Sequence, residues 1–328
     1  FPPSFTRTTK VPRIEAITRR DDRDAGLTGT QPFLDLLYRH LQHYLDRMRD
    51  FEPLALEGLH PEGVHRMRVS IRHFRALLRI YADIFAESDG AALDAELRWL
   101  SSQLGAARDA DVCEELIRGF NASLPAAAVA AAAPYEKHLR ETTIAAYMNL
   151  AEVFASRRYA DLLAWTQQFV STGPSEAISE QYGQLSISDA ADRHVHPAAK
   201  KMLKRGKKIG AGASDKRWHK LRIQAKRMRY LVDFFAVAEL MRWEPSVKAL
   251  GRLQDLLGDQ QDAITATERL EDYLHSLPDD DSSLDLRLSI DRLMATEAQR
   301  IVDCRSRFPA AWSEFRTALE QSEMLIVR

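Results

Sequence analysis

The sequence has few of the residues that build disulfide frameworks, cysteine metal sites or membrane spans. Its 328 residues include only two cysteines, Cys113 and Cys304, and their separation fits neither a metal-ligand pair nor a set of disulfides. No apolar run reaches the roughly 18 residues of a membrane-spanning helix, and the N-terminal residues lack the hydrophobic core of a signal peptide. These absences predict a cytoplasmic protein without a membrane segment.

Glycine, proline and β-branched runs are also scarce, which favours helices over sheets. The chain has 14 glycines and 13 prolines, whereas leucine, alanine, arginine, glutamate and glutamine dominate, and all five are good helix formers. No glycine-rich phosphate loop or dinucleotide-binding pattern is present, and no serine or cysteine has an identifiable base beside it. The sequence therefore predicts an all-α protein with no cofactor and no enzymatic activity.

The net charge of −1 conceals a strong segregation of positive charge. Residues 64–80, "VHRMRVSIRHFRALLRI", contain five arginines and no acidic residue, and residues 193–229 contain fourteen Lys/Arg against a single acid, Asp215. Segregation of this kind creates local potentials that attract anions. The anionic partner of these segments is either another part of the protein or a ligand.

The two basic segments belong to an internal repeat. "HRMRVSIRHFR" at residues 65–75 aligns with "HKLRIQAKRMR" at residues 219–229, at an offset of 154. Further along, "LGAARDADV" at 104–112 aligns with "LGDQQDAI" at 257–264, which matches Asp109 with Asp262. A repeat predicts two similar structural units, here of about four helices each, and each is expected to form an antiparallel four-helix bundle.

Loop composition gives the expected boundaries of these units. Residues 1–30, rich in proline, threonine and charge, are interpreted as a flexible lead-in, and residues 171–188 as a linker because glycine, proline and serine occur there without periodicity. The first bundle then covers residues 31–170 and the second residues 189–328. Helices are expected at 64–87, 90–120, 134–156, 159–171, 189–208, 215–238, 244–275 and 283–325.

On a helix the cations of each repeat copy form one stripe beside the apolar stripe that includes Met67 and Phe74, because each residue advances the helix by about 100°. The cationic stripe consists of His65, Arg68, Arg72, Arg75 and Arg79 in the first half and of His219, Arg222, Lys226 and Arg229 in the second. Like charges one turn apart disfavour the helix by about 0.2–0.5 kcal/mol per pair. The matched acids Asp109/Asp262 and Glu115/Glu268 could neutralise part of the stripe, but they are fewer than its cations. Spacing on the preceding helices adds candidates for the same surface: Arg39, His40, Arg47, Arg193, Lys201, Lys204 and Lys208.

The doubled His-x-x-Arg-x-x-x-(Arg/Lys)-x-x-Arg signature, each copy followed by a Leu-Gly…Asp segment, resembles the CHAD domain, the conserved histidine α-helical domain. The resemblance covers roughly residues 31–325. It implies two four-helix bundles related by pseudo-twofold symmetry, and a basic central surface that binds inorganic polyphosphate, with targeting to polyphosphate granules as one role. The residues carried over by the motif are His65, Arg68, Arg72, Arg75, His219, Arg222, Lys226 and Arg229. Ala76 departs from the pattern, because its repeat partner is Tyr230.

Two other classes of function remain open from the sequence. A metal-binding or phosphohydrolase helical bundle would use some of the ten histidines, but the paired Glu-x-x-His motifs of di-iron bundles are missing. A nucleic acid would attract the same cations, but readers of single strands add aromatic platforms, and only Trp218 is placed to reach the basic face. His65 and His219 are interpreted as phosphate donors, metal ligands or structural residues.

Overall fold

The computed structural model describes residues 28–58, 60–85, 89–122, 126–210, 212–277 and 284–322, with only the helical backbone described at 126–128 and 237–242. All regular secondary structure in these residues is helical, as the composition predicted. The helices are α1 (Phe33–Glu57), α2 (Pro61–Ile80), α3 (Gly90–Asn121), α4 (Ala126–Ala155), α5 (Arg157–Thr172), α6 (Glu176–Tyr182), α7 (Ile187–Gly206), α8 (Asp215–Ser276) and α9 (Leu284–Gln321). Within the described ranges no helix is both long and apolar enough to cross a membrane.

Helix α8 reverses direction close to the point where the sequence predicted a break between two helices. The Nδ1 atom of His219 lies 3.1 Å from Oε1 of Gln261, and a β-carbon at Gly251 would lie 3.2 Å from Nη1 of Arg229. In a straight helix these pairs would be roughly 63 and 33 Å apart, so the helical segments before and after residues 239–243 lie side by side although α8 is helical throughout. The predicted linker at 171–188 contains the short helix α6, which begins where the Ser175 hydroxyl accepts a hydrogen bond from the Ile178 amide at 3.3 Å.

The N-terminal segment joins the fold earlier than predicted. Most of the predicted lead-in, residues 1–27, lies outside the described residues. Gly29, however, accepts a hydrogen bond from the Ser188 amide at 2.9 Å, and Gln31 accepts one from the Ile187 amide at 2.9 Å. The residues just before α1 are therefore fastened to the start of α7, which ties the first half of the chain to the second.

The loop between α1 and α2 fixes the start of the helix that carries the first cationic stripe. Gly58 ends α1 in the left-handed conformation, with φ of 62°, which glycine adopts at little cost. The His60 ring then accepts a hydrogen bond from the Glu62 amide at 3.2 Å, and Pro61 occupies the first turn of α2. At Gly63 the helix crosses α1 so closely that a β-carbon would lie 2.5 Å from backbone atoms of α1.

A continuous hydrophobic core extends from the first half of the chain to the second. Phe33 of α1 packs against Tyr81, with ring centroids 4.9 Å apart, and against Phe234 of α8 at 6.2 Å. The apolar stripe predicted for α2 is buried, and so are its counterparts on α8. These fully buried members are Met67, Ile71, Phe74, Leu221 and Met228. Burial of both apolar stripes in one core brings the two signature helices together.

A second, smaller core joins the far ends of the long helices. Ile117 of α3 and Leu139 of α4 pack with Leu270 of α8 and Ile290 of α9. The α3–α4 pair therefore contacts the C-terminal part of α8 and α9 at a second place, away from the signature segments at residues 65–75 and 219–229. Between the two meeting points they line a cavity of about 760 Å³.

Candidate functional site

The matched cations of the two signature helices lie next to one another. The His73 ring of α2 contacts the Tyr230 ring of α8, with centroids 4.8 Å apart. The pKa of Lys226 is lowered to about 8 by burial and then by the charges of Arg222 and Arg72, against the opposing effect of Asp262. Arg72 and Lys226, which occupy equivalent repeat positions, therefore lie close to each other where the two signature helices meet.

A groove of about 710 Å³ lies where these helices meet, between α2, α7 and α8. Its lining includes six cationic side chains and, among the residues that the structure describes, no acidic one. The six are Arg72, Arg75, Arg79, Lys201, Lys226 and Arg227. Such a concentration of one sign of charge in a concave surface attracts anions. We call this feature the basic groove.

Two guanidinium donors of the cationic stripes lack acceptors: Arg72 lines the basic groove, and Arg222 lines the 760 Å³ cavity. The Nε atoms of Arg72 and Arg222 are buried, and neither has a hydrogen-bond partner among the described residues. A buried donor without a partner costs about 1–3 kcal/mol. A ligand that brings acceptor oxygens to these atoms would recover that cost.

Gly105 gives Arg68 its place beside these residues. The Arg68 guanidinium donates to the Ser101 carbonyl at 3.4 Å, and a β-carbon at Gly105 would lie only 2.7 Å from its Nη1 atom. A side chain at this glycine of the first Leu-Gly segment would displace the end of the Arg68 side chain. Burial is the main cause that lowers the pKa of Arg68, with Asp109 opposing it.

Part of the cationic stripe is neutralised inside the protein, by acids that the sequence did not identify. The buried Asp94 of α3 accepts from Arg75 Nε at 2.8 Å and from Arg79 Nη2 at 2.9 Å. In the second half Arg229 pairs with Asp233, one turn along α8, at 2.7 Å. The stripe thus has protein partners at its C-terminal end, whereas Arg72 and Lys226 have no ion pair in the described part of the chain.

The matched acids Asp109 and Asp262 each favour the charged form of a stripe arginine, Arg68 and Arg222 respectively, as expected from the sequence. Asp109 forms an ion pair with Arg269 at 3.0 Å, which links α3 to α8. Asp262 lies close enough to Arg222 to raise the pKa of that guanidinium, although burial has the larger, opposite effect. Glu115 lines the 760 Å³ cavity, and Glu268 lines a separate pocket; His219 lines both.

Removing the Asp94 charge tests its pairing with the stripe. We expect Asp94→Asn to lower the free energy of unfolding by about 2 kcal/mol, less than the roughly 3–5 kcal/mol of a fully buried pair because the Arg79 side chain is half exposed. Denaturant unfolding measures the effect. Asp161→Asn, which breaks the exposed pair with Arg157, serves as the control and should change stability by less than about 1 kcal/mol. Equal stability of the two variants would contradict the pairing.

The signature histidines occupy different environments. His65 is half-buried, and its pKa is lowered by burial and then by the charge of Arg108. His219 is exposed, with its Nδ1 atom 3.1 Å from Oε1 of Gln261. Among the described residues no group of three or more potential metal ligands is present.

The lowered pKa of His65 determines the direction in which the affinity for an anionic ligand should change with pH. Because burial and Arg108 disfavour the charged ring, His65 gains its proton below the ordinary range near 6.5. His65 does not line the basic groove, but it lies close enough to Arg72 to feel its charge, so a polyanion bound at Arg72 would favour that proton. Affinity for an anionic ligand should therefore rise several-fold as the pH falls from 7 to 5.5. Binding titrations of wild type and of His65→Ala/His219→Ala over this interval measure the effect. An unchanged pH profile in the double variant would show that both histidines are structural.

The 760 Å³ cavity on the other side of the signature helices has a mixed charge. His219 and Arg222 reach it from α8, but so do Asp109, Asp262 and Glu297, together with further arginines. Its acids and cations balance each other to a large extent. The cavity is therefore a weaker anion site than the basic groove.

The additional cations predicted on α1 and α7 are scattered. Only Lys201 lines the basic groove. Arg47 lies 4.9 Å from the centroid of the Phe51 ring and lowers the pKa of His73. Arg39 is exposed in a pocket beside Gly173 that contains no member of the stripe.

The remaining predicted positions on these two helices lie outside the groove. Arg193 is exposed near Tyr182, and Lys204 and Lys208 are exposed at the end of α7. The prediction that His40 belongs to the basic surface is wrong, because this residue is buried between helices with its ring 4.9 Å from the Phe234 ring. Burial lowers the pKa of His40 to about 3, so this side chain is a neutral core residue.

Arg227 and Ile223 are among the groove residues that were not predicted from the sequence. Arg227 lies one position beyond the stripe and faces the groove because α7 packs against that side of α8. Ile223, matched to an apolar position in the repeat, is also exposed in the groove. By contrast Trp218, the aromatic residue considered for the basic face, is buried against Phe308 at 4.8 Å.

Comparison with known proteins gives one family. A family model described as the CHAD domain matches residues 39–271. Two uncharacterized proteins of Mycobacterium tuberculosis, from strain CDC 1551 / Oshkosh and strain ATCC 25618 / H37Rv, are each 30% identical over 254 residues, or 74% of this chain and 46% of theirs. The chain thus spans about half the length of the curated relatives it matches.

Two solved structures share the fold. The crystal structure of the CHAD domain from the plant Ricinus communis has a TM-score of 0.64 at 23% identity, covering 92% of this chain and 94% of that one. PptA from Streptomyces chartreusis has a TM-score of 0.66 at 16% identity, covering 86% of this chain and 100% of that one. At these identities the likeness concerns the fold.

Proposed function

The chain belongs to the CHAD domain family, and on that premise we propose that it binds inorganic polyphosphate in the basic groove. The proposal is for a binding protein without catalysis, acting in the cytoplasm with recruitment to polyphosphate granules as its cellular role. Arg72 and Lys226 form no ion pair among the described residues, and in this proposal the ligand supplies the anionic charge.

The observation that carries the proposal is the composition of the groove. Six cationic side chains from both halves of the chain line it, and none of its described lining residues is acidic. Asp94, which lies outside the lining, pairs with Arg75 and Arg79, so the cations without an ion pair among the described residues are Arg72, Lys201, Lys226 and Arg227. Their mutual repulsion is visible in the pKa of Lys226, lowered to about 8 by burial and by the nearby arginines. A ligand with closely spaced negative charges would relieve this repulsion.

Charge density favours polyphosphate over a nucleic acid. In polyphosphate the charged groups follow one another directly, whereas in nucleic acid a sugar separates them. Proteins that bind single strands stack successive bases on aromatic side chains, and the burial of Trp218 removes the candidate that the sequence offered for this role. Nucleic acid is therefore the weaker candidate.

We further propose that residues 31–170 and 189–328 are related by pseudo-twofold symmetry about the groove. The proximity of Arg72 and Lys226, which occupy matched repeat positions, supports this relation. In both halves the chain reverses direction after the signature segment, at Tyr81–Phe85 in the first half and between Arg229 and Gly251 in the second.

Competitive binding tests the proposed ligand. We would measure the affinity of the protein for long-chain polyphosphate, single-stranded RNA and double-stranded DNA at equal phosphate concentration and equal ionic strength. Polyphosphate should bind most tightly, with an affinity that falls steeply with added salt because cations are released from the ligand. Equal or tighter binding of RNA or DNA would overturn the assignment.

A further inference from the structure

Part of the lining of the basic groove is apolar, and inorganic polyphosphate has no apolar group that could contact it. We call this part of the lining the apolar floor. Small or apolar side chains form much of the surface between the cations. These are Ala76, Ile80, Pro197, Ala198, Ile223 and Leu231, with Tyr230 beside them. Ile223 is 37% exposed. A ligand that consists only of phosphate groups would leave this surface in contact with water.

The apolar floor is open because the two repeat halves carry different residues at one matched position. Position 76 corresponds to Tyr230 in the second half, but it carries only a methyl side chain. The Tyr230 ring is used elsewhere, because it packs against the ring of His73 at 4.8 Å. Since Ala76 lines the groove, a tyrosine there would project into it, and alanine leaves room for a ligand group instead.

The volume of the groove and its positive charge limit the class of ligand that it can bind. The groove volume of about 710 Å³ lies within the range of about 300–1,000 Å³ that is typical of small-molecule sites. Four of the six cations, Arg72, Lys201, Lys226 and Arg227, have no ion pair among the described residues. They exceed what a single phosphate headgroup of a lipid would need, and they suit a short chain of phosphates. Ala76, Pro197 and Ala198 have short side chains with little conformational freedom, so the apolar surface that they form suits a rigid ring better than a flexible acyl chain.

We propose that the groove binds a nucleoside oligophosphate, with the phosphates at Arg72, Lys201 and Lys226 and the base on the apolar floor between Ala76 and Ile223. The inference rests on the proposed function, since the phosphate end uses the same cations as polyphosphate. It adds a second ligand class, which would compete with polyphosphate for the groove. One floor accommodates one base, so a terminal nucleoside fits where a run of stacked bases does not.

The test compares ATP with inorganic tripolyphosphate by calorimetric titration without divalent metal. Both have three phosphates and tripolyphosphate has the greater charge, so charge alone predicts weaker binding of ATP. We expect ATP to bind about tenfold more tightly, a gain that corresponds to roughly 60 Å² of apolar surface removed from water. ATP binding that is equal to or weaker than tripolyphosphate binding would overturn the inference.

Two variants locate the base. Ala76→Tyr fills the floor, and Ile223→Asn makes it polar at a partly exposed position where folding is not at risk. Each should remove the preference for ATP and leave the affinity for tripolyphosphate near that of wild type. A preference that survives in both variants would place the base elsewhere and contradict the proposal.

Long-chain polyphosphate, titrated in parallel, separates this inference from the proposed function. If polyphosphate binds and ATP has no advantage over tripolyphosphate, the inference fails and the proposed function stands. If ATP binds in an Ala76-dependent manner and polyphosphate does not bind, the proposed function fails and the nucleotide site stands. If none of the three ligands binds, both are wrong.

Discussion

Replacing Arg72 and Lys226 together, as Arg72→Gln/Lys226→Gln, should lower the affinity for long-chain polyphosphate by at least about 100-fold. Each lost hydrogen bond between a charged side chain and phosphate costs about 1.5–3 kcal/mol. Glutamine retains helix propensity and part of the side-chain length, so the change removes charge with little change in packing. Titration of both proteins with polyphosphate at one salt concentration measures the loss.

The same double variant should unfold at an equal or slightly higher temperature than wild type. Neither cation has an ion pair among the described residues, and Lys226 is already disfavoured as a cation by burial and by Arg222 and Arg72. If acidic helices were the true partners of these side chains, the substitutions would leave buried carboxylates unpaired and cost about 3–5 kcal/mol. A variant that melts far below wild type yet still binds polyphosphate would therefore contradict the assignment.

A matched control removes the same charge elsewhere. Arg118→Gln/Lys137→Gln eliminates two cations from the far ends of α3 and α4, where both side chains are exposed in pairs with neighbouring acids. Exposed charges beyond a Debye length of about 10 Å are largely screened, so this variant should retain nearly full affinity. A comparable loss in the control would mean that net charge, and not the groove, governs binding.

Affinity for polyphosphate should also fall by about 30-fold between pH 7 and pH 9.5 through the titration of Lys226. In the free protein the pKa of Lys226 is about 8, lowered by burial, Arg222, Arg72 and Arg68 and partly restored by Asp262. A bound polyanion favours the charged amine and raises this pKa, so binding takes up a proton in this interval. Below pH 7 the amine is charged in both states and its contribution to the slope disappears.

Lys226→Arg distinguishes this titration from other effects of pH. Arginine remains charged throughout the interval, so the variant should bind with a nearly flat profile between pH 7 and pH 9.5. Calorimetry in buffers of different ionisation enthalpy should show proton uptake near pH 8 for wild type and almost none for the variant. The same slope in both proteins would assign the dependence to a group other than Lys226.

The features with a fixed spacing in the sequence were predictable. The repeat and the helical period together gave the apolar stripe of α2, which is buried at Met67 and Phe74, and the cationic stripe beside it. The match between Arg72 and Lys226 predicted that they share a surface, and the structure places them near each other. The helical period and the internal repeat could predict the stripes and this match because the period relates residues within one helix, and the repeat relates that helix to its copy.

The partners that come from other elements were not predictable. Asp94 lies 15 and 19 residues from the arginines that it pairs with, and no periodicity connects these positions. His40 has the spacing of a surface cation, yet packing between α1 and α8 buries it. The groove itself depends on α7, which brings Lys201 and Pro197 to the signature helices. Such contacts follow from tertiary packing, about which a single sequence gives no spacing rule.

The most direct measurement of the central claim is a crystal structure of the protein with a bound polyphosphate. We expect phosphate oxygens in the basic groove within hydrogen-bond distance of Arg72 Nε, which has no acceptor in the described chain, and of the Lys226 amine. Phosphates bound only in the mixed-charge cavity beside Arg269, or on a surface away from both signature helices, would contradict it.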